Sequence, residues 1–309
     1  MTERRRGVLL ALAAYGFWGA FPIYLRSLPP LSPLELVSHR IVWSLAILLS
    51  LFLLRRDGWG WLFELRNAKT RRSLLTSSVL IAINWLVYVW AVSVGRVIEC
   101  SLGYFINPLV SIGLGVFVLG ERLRPLQWGA VAMASAAILW LTLAMGMVPW
   151  VALALALSFG GYGLVKKQAP VGGERGLALE TLLLGPLALA VVVYSEWHGV
   201  GHFSAANLGG KLLIVSTGLA TTLPLLAFSG AARRIPLSQI GFLQYLAPTL
   251  QFLIGLFVFH EAFGAARFAG FLMIWIALGC LALEGIWNHV RSARNPSPLA
   301  SRPRGTSAP

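Results

Sequence analysis

Charged residues are scarce in this 309-residue sequence. Only 12% of its residues are charged and 57% are hydrophobic, whereas a soluble domain carries about 25% charged residues. So few charges cannot cover that much apolar surface in water, which excludes a soluble enzyme and a disordered scaffold. Cysteine is scarce too, with two residues. Cys100 and Cys280 lie in apolar segments, where we interpret them as small buried hydrophobic residues, and a disulfide-stapled secreted domain is excluded.

Motifs of nucleotide and metal chemistry are also missing. No G-x-x-x-x-G-K-[ST] sequence occurs, and His260-Glu261 is followed by Ala-Phe-Gly, which is not H-E-x-x-H. The glycines at 160, 161 and 163 lie within an apolar segment with no strand before them, so a dinucleotide fold is excluded. We therefore expect no metal, no cofactor and no enzymatic activity.

Long apolar runs fill the rest of the chain. A bilayer core of roughly 30 Å requires about 20 apolar residues in a helix, and runs of this length recur along almost the whole sequence. They predict an all-α polytopic membrane protein with ten transmembrane helices. The predicted spans are 7–25, 35–54, 74–94, 98–119, 126–144, 148–165, 177–196, 211–231, 237–259 and 267–288.

The basic residues predict the orientation of these spans. Of the 25 Lys and Arg residues, 20 lie on the side of the N-terminus and the even-numbered connections, four lie on the other side, and Arg40 lies within a span. By the positive-inside rule both termini are cytoplasmic. The net charge of +14 is then a topology signal, and we expect no binding to nucleic acid. The first apolar run has no cleavage site at its end and is interpreted as an uncleaved first span.

Two hydrophilic stretches are longer than the other connections. Residues 55–73 place Trp59, Trp61 and Phe63 among six basic residues, which predicts a short helix on the membrane surface. The tail 291–309 is rich in Pro, Ser and Arg and is predicted to be disordered.

The two halves of the chain resemble each other. FINPLVSIGLGVFVLGE (105–121) matches YLAPTLQFLIGLFVFHE (245–261) at an offset of 140, and YGFWG (15–19) parallels FGGYG (159–163). A five-span unit therefore occurs twice, in residues 1–145 and 146–290. Because five is odd, the second unit is inverted, as in secondary transporters. Glu121 and Glu261 then lie on opposite faces, where we expect them to cap the helices that follow.

These motifs resemble a known family. Two five-span halves, each ending in proline, an apolar run, glutamate and a last helix, are similar to the EamA family of the drug/metabolite transporter superfamily. GVLLALAAYGFWG (7–19), ELVSHRIVWS (35–44), SLGYFINPLV (101–110) and GFLQYLAPTL (241–250) resemble its RarD branch. The resemblance implies a ten-helix, exporter-like carrier in the bacterial inner membrane and does not imply a particular substrate.

Polar residues within spans are costly and are therefore functional candidates. Glu35 and His39 are one turn apart, and Arg40 lies about 9 Å along the helix from Leu34. This group predicts either an anion-recognising or proton-linked site, or a salt bridge with a snorkelling arginine. Glu99 and Glu180 begin spans at opposite faces, where they either cap helices or, with Glu35 and His39, take part in proton coupling.

Two prolines lie within spans four and nine. Pro108 and Pro248 deprive the carbonyls of Tyr104 and Gln244 of their helical bonds, which favours a cavity wall over a lipid-facing surface. The alternative is a pair of structural kinks. The predicted substrate cavity comprises Arg40, His39, Asn84, Tyr88, Tyr104, Asn107, Gln244 and Tyr245.

The sequence thus predicts an exporter-like secondary transporter that moves a small organic metabolite or drug by alternating access. Proton coupling is one of the energy sources that this prediction allows. The alternatives are an uncoupled facilitator or exchanger, an intramembrane lipid-modifying enzyme and a non-transporting scaffold. An enzyme usually gathers its acid, base or metal groups at one face, whereas here they are scattered. Whether the protein is a monomer or a homodimer stays open.

Overall fold

The computed structural model describes residues 2–56, 58–94, 96–145, 148–260, 268–270, 272–273, 275–276 and 278–280. Throughout these residues the regular structure is helical, which confirms the predicted all-α class. The α-helices are α1 (Glu3–Ser27), α2 (Pro33–Leu54), α3 (Ala68–Ser93), α4 (Val97–Phe117), α5 (Pro125–Met145), α6 (Trp150–Gln168), α7 (Gly173–Trp197), α8 (Leu208–Ala232), α9 (Leu237–Gln244) and α10 (Leu246–Phe257).

Among the described residues, seven segments are long and apolar enough to cross a bilayer. They are Glu3–Ser27, Pro33–Leu54, Ala68–Val92, Pro125–Leu143, Gly173–Trp197, Leu208–Ala232 and Leu237–Phe257. Two of the remaining three predicted spans form α4, which contains the shorter apolar segment Leu102–Phe117, and α6, which ends in Lys166, Lys167 and Gln168. Most of span 267–288, the tail 291–309 and Glu261 lie outside the described residues.

The prolines of predicted spans four and nine, Pro108 and Pro248, have different effects on the backbone. Predicted span nine is divided at Tyr245, three residues before Pro248, and regular bonding resumes where Thr249 N donates to the Tyr245 carbonyl at 3.1 Å. In α4 the helix runs without interruption through Pro108. The missing N–H of a proline therefore ends the helix in one half and is accommodated within it in the other.

Helix ends recur at the spacing of 140 residues. Three starts are related in this way, namely Pro33 with Gly173, Ala68 with Leu208, and Val97 with Leu237. Asn67 and Asn207 are the N-caps of α3 and α8, and each side chain accepts a backbone N–H of the first turn. After α4 and α10, Val118 and Val258 share φ −99° and ψ −40°. Local capping chemistry is thus repeated in both halves.

An aromatic core joins the two similar motifs YGFWG (15–19) and FGGYG (159–163). The ring centroids of Tyr15 and Trp18 in α1 lie 5.6 Å apart, and that of Trp18 lies 5.7 Å from that of Phe159 in α6. The ring of Phe228 in α8 stacks on that of Tyr162, with 6.1 Å between their centroids. Close helix crossings surround this core. At Gly218 of α8, an added Cβ would lie 2.5 Å from the backbone carbonyl carbon of Trp43 in α2, so only glycine allows that contact.

The periphery is apolar, as a lipid-facing surface requires. Leu54, Phe117 and Trp197 expose more than four-fifths of their surface. Cys100 is buried as predicted, but Cys280 is exposed. Within the predicted surface segment, a 3-10 helix spans Gly60–Arg66.

Candidate polar site between the two halves

Arg40 lies among helices of both halves. Its Nε donates to Thr221 Oγ1 of α8 at 2.8 Å, and its guanidinium lies 5.4 Å from the Phe21 ring and 5.6 Å from the Trp85 ring. The phenols of Tyr88 and Tyr104 are close enough to interact with it electrostatically. No carboxylate oxygen of the described residues lies within 4.0 Å of this guanidinium, so the salt-bridge alternative finds no partner there.

The predicted cavity residues on α4 and α9 fall into two groups. Gln244 Oε1 accepts from Ser111 Oγ at 3.3 Å, and Tyr245 donates to the Phe105 carbonyl at 3.4 Å, so both are used in packing α9 on α4. Tyr104 lies near Arg40, and 41% of its surface is exposed. Asn107 is buried, and its Oδ1 has no partner among the described residues. Tyr104 and Asn107 therefore retain polar atoms for a ligand.

Asn84 and Tyr88 lie one turn apart on α3 but differ in their surroundings. Asn84 Nδ2 donates to the Leu155 carbonyl at 2.9 Å and to Ser158 Oγ at 3.0 Å, so both of its protons are used in packing α3 on α6. Tyr88 is half-buried and interacts electrostatically with Arg40. The structure thus brings Tyr88, and not the Asn84 amide, to the arginine.

Glu35 and His39 form a buried cluster at the start of α2. His39 Nε2 lies 3.9 Å from Glu35 Oε1. Both Glu35 oxygens also accept from His202, one from its backbone N–H at 2.7 Å and one from Nδ1 at 2.8 Å. Glu196 of α7 completes the cluster. Sequence reasoning missed Glu196 and His202, because they are more than 150 residues away from Glu35 and His39 along the chain.

Glu180 is not a helix cap, which excludes the first of the two alternatives given for it. It lies two turns inside α7, which begins at Gly173, and its Oε1 is 2.7 Å from Lys166 Nζ. Ser77 donates to Oε1, and Tyr162 donates to Oε2 at 3.3 Å. The opposite charges of Lys166 and Glu180, both near the same predicted membrane face, were the available sequence signal for this pair.

The other two carboxylates lie at helix ends. Glu99 is in the first turn of α4, where its Oε1 is 3.4 Å from Arg96 Nη1. We expected Glu121 to cap α5, and this expectation was wrong. Its carboxylate accepts from the backbone N–H groups of Leu237 and Ser238 at 2.7 and 2.8 Å and so caps α9 in the other half, because α9 begins beside the loop after α4.

The long apolar helices are those of a multi-pass membrane protein. The family model described as "EamA-like transporter family" matches residues 5–143. A protein RarD of Streptomyces exfoliatus is 46% identical over 95% of this chain and 92% of its own length. An uncharacterized transporter of Pseudomonas aeruginosa is 43% identical, covering 94% and 98%, and a protein RarD of Escherichia coli is 39% identical, covering 94% and 99%.

The fold has a counterpart among solved structures. One crystal structure covers 91% of this chain and 98% of its own chain, with a TM-score of 0.67 at 19% identity. The chain belongs to the RarD branch of the EamA family and is a multi-pass inner-membrane protein. Membership of this family implies a small-molecule substrate and a bilayer environment, and the transporter names of the relatives agree with a non-enzymatic role.

Proposed function

We propose that this protein is a secondary carrier that moves a small organic solute bearing an anionic group by alternating access between two inverted five-helix halves. The observation that carries the proposal is Arg40, a cation inside the helix bundle without a carboxylate within 4.0 Å among the described residues. An intramembrane charge is costly unless it is paired or has a function. A substrate anion would supply the missing partner.

The surroundings of Arg40 favour an amphipathic solute. Phe21 and Trp85 present ring faces to the guanidinium, and Tyr88 and Tyr104 add hydroxyl groups. Aromatic rings and a few convergent polar groups are typical of small-molecule sites. An anionic head on Arg40 with an apolar body against the rings would use both parts of the site.

The pattern of helix packing supports inverted halves. If α1 corresponds to α6, α2 to α7, α3 to α8 and α4 to α9 and α10, each contact should have a counterpart with the halves exchanged. The contact between α1 and α8 has its counterpart in the contact between α6 and α3. The contact between α4 and α6 has its counterpart in the contact between α10 and α1. The helices α2 and α7, which correspond to each other, pack together. An axis in the membrane plane produces such exchange, and rocking about it would open the site to either face.

Contacts between the halves occur at both ends of the bundle. At the end predicted to be cytoplasmic, Glu121 holds the start of α9. At the opposite end, Tyr24 bonds to Ser216 at 2.8 Å and donates to the Leu213 carbonyl at 3.0 Å. Under this proposal the two sets of contacts break alternately. Glu35 and His39 are the proposed proton-coupling groups, since Glu180 and Glu99 have cationic partners.

The experiment is a thermal-stability screen of the purified protein in detergent. Amino acids, nucleosides, sugars and amphenicol drugs are compared, each carboxylate-bearing compound with its neutral amide or ester. A ligand that binds the native state raises the midpoint by mass action. We expect shifts from anionic members only, with roughly tenfold or greater loss of affinity in Arg40→Gln.

The matched control is Arg72→Gln, an exposed arginine on α3. Flux of each hit is then measured in proteoliposomes. Anionic ligands that bind Arg40→Gln as tightly as the unmodified protein would contradict the assignment of Arg40, and binding without any flux would contradict transport.

A further inference from the structure

The buried cluster at the start of α2 has the composition of a metal site. Glu35, His39 and Glu196 each offer one ligand atom, and these atoms all lie within 4.8 Å of one another. Glu35 and His39 are 2% or less exposed. We propose that this cluster binds a first-row divalent cation of the zinc type, with the imidazole of His39 and the carboxylates of Glu35 and Glu196 as ligands.

The imidazole of His39 is the observation that points to a ligand. Its ring is buried, yet neither Nδ1 nor Nε2 has a hydrogen-bond partner among the described residues. Nε2 lies 3.9 Å from Glu35 Oε1, which is too long for a hydrogen bond. A buried polar atom without a partner is costly. A cation between the imidazole and the carboxylates would satisfy it.

The spacing of the ligands suits chelation. Glu35 and His39 are four residues apart on α2, so both side chains project from one helix face. Zinc bonds of about 2.0–2.2 Å to nitrogen and oxygen place ligand atoms roughly 3–3.5 Å apart in a tetrahedral site. The ligand atoms of this cluster lie within 4.8 Å of one another, so they must approach by at most about 1.5 Å to reach that separation. Three protein ligands leave a fourth position for water.

Neighbouring groups orient the ligands. The Nδ1 and backbone N–H of His202 bond to the two oxygens of Glu35, and the backbone N–H groups of Phe203 and Ser204 bond to the two oxygens of Glu196 at 2.9 and 3.1 Å. Hydrogen-bonded carboxylates of this kind are the usual outer shell of metal sites.

An apolar cover lies over the imidazole. The Phe203 ring is 5.3 Å from that of His39 and 5.8 Å from that of Trp43. Such a cover limits the access of water and strengthens metal–ligand bonds. Imidazole ligation favours zinc, cobalt or nickel over magnesium and calcium, which take oxygen ligands.

The position of the cluster gives such an ion a structural consequence. Glu35 and His39 lie on α2 in the first half, whereas Glu196 lies near the end of α7 in the second half. A bound cation would therefore tie the two halves together, at the end of the bundle that the basic residues predict to be extracytoplasmic. Glu35 and His39 are also the groups proposed to couple protons, so the metal-bound state and the proton-carrying state exclude each other. The present proposal concerns cation binding alone and does not depend on the transported substrate.

The test measures Zn²⁺ binding to the purified full chain without a polyhistidine tag, by titration calorimetry and thermal midpoint, with Mg²⁺ in parallel. We expect one saturable Zn²⁺ site that raises the midpoint, and no comparable effect of Mg²⁺. Glu35→Gln, His39→Gln and Glu196→Gln should each weaken binding by about tenfold or more. Co²⁺ should produce a visible absorption band that the same variants lose.

His198→Gln is the matched control, because it removes an exposed histidine at the end of α7 and should leave binding unchanged. Glu196 is only half-buried, so Glu196→Gln keeps the test decisive if a variant of the buried pair fails to fold. Absence of Zn²⁺ binding, or binding that survives all three substitutions, would overturn the proposal. Loss of binding in His198→Gln would also overturn it, by placing the ion at the surface.

Discussion

Lys166 and Glu180 form an ion pair inside the bundle, with Lys166 Nζ 2.7 Å from Glu180 Oε1 and both side chains at most 4% exposed. The pair joins α6 to α7, and Ser77 of α3 and Tyr162 of α6 donate to the same carboxylate. Two charges in such surroundings depend on each other, because either one alone would be a buried charge without compensation.

The first prediction concerns this pair. Lys166→Met should lower the free energy of unfolding by roughly 3–5 kcal/mol, since it leaves the Glu180 carboxylate unpaired. The double variant Lys166→Met/Glu180→Leu should recover most of that loss. The thermal midpoint in detergent measures both effects, with Lys69→Met at an exposed position of α3 as the control. A single variant as stable as the control would show that the pair is not needed for stability.

The second prediction concerns the crossing of α2 and α8. Gly218→Ala should destabilise the protein by roughly 1–3 kcal/mol, because its Cβ would lie 2.5 Å from the Trp43 carbonyl carbon and 2.8 Å from the Ser44 nitrogen, which are backbone atoms. Gly129→Ala in α5, with no atom within 4 Å of the new Cβ, should be neutral or stabilising by up to about 1 kcal/mol. Equal midpoints for the two variants would contradict this crossing.

The third prediction concerns the residue that positions Arg40. Thr221→Val keeps the side-chain shape but removes the Oγ1 acceptor that lies 2.8 Å from Arg40 Nε. Ligand affinity should fall by roughly 2- to 10-fold, the usual weight of one hydrogen bond. Thr221→Ser should restore it, which a purely structural role of the methyl group would not allow. Titration of a ligand found in the stability screen gives the values.

The fourth prediction tests the inverted arrangement. Ala68 and Leu208 are both exposed first residues of helices related by 140 positions. In a background without Cys100 and Cys280, Ala68→Cys should react with a membrane-impermeant thiol reagent only from the cytoplasmic side. Leu208→Cys should react only from the opposite side, because an odd number of spans separates them. Labelling of both from one side would contradict the inversion.

The fifth prediction concerns proton coupling. Glu35→Gln/His39→Gln should abolish uptake into proteoliposomes driven by a pH gradient while leaving exchange of substrate across the membrane intact. Glu99→Gln, whose carboxylate lies beside Arg96, serves as the control. Unchanged gradient-driven uptake in the double variant would favour an uncoupled facilitator or exchanger.

Much of the fold could be predicted from the sequence, because its signals are local. The first eight predicted spans overlap α1 to α8, although α3 begins at Ala68, six residues before its predicted start, and predicted span nine covers α9 and α10. Apolar runs and N-cap residues such as Asn67 act over a few residues, so their meaning does not depend on the rest of the chain. The repeat was visible for the same reason, since equal local patterns produce helices that begin 140 residues apart.

The polar site was predicted less completely. The proximity of Glu35 and His39 follows from their spacing on the second span. For Arg40 the sequence left a salt bridge and an anion-recognising site as alternatives, and no carboxylate of the described residues lies within 4.0 Å of its guanidinium. Sequence reasoning did not predict that Glu180 pairs with Lys166. It also did not predict that the Asn84 amide is used in packing α3 on α6. The sequence shows that a polar residue lies on a helix. Its partner depends on which helices are neighbours and on how each is rotated about its axis.

The sequence by itself determined that this chain is a helical membrane protein of the EamA family, because hydrophobicity, charge asymmetry and motif spacing are properties of the order of residues. Only the tertiary structure decided which polar atoms meet. It brought Glu121 to the start of α9 and Thr221 to Arg40, over 116 and 181 residues. Such contacts arise when helices pack at specific rotations, where burial makes each unpaired polar group costly and so selects its partner.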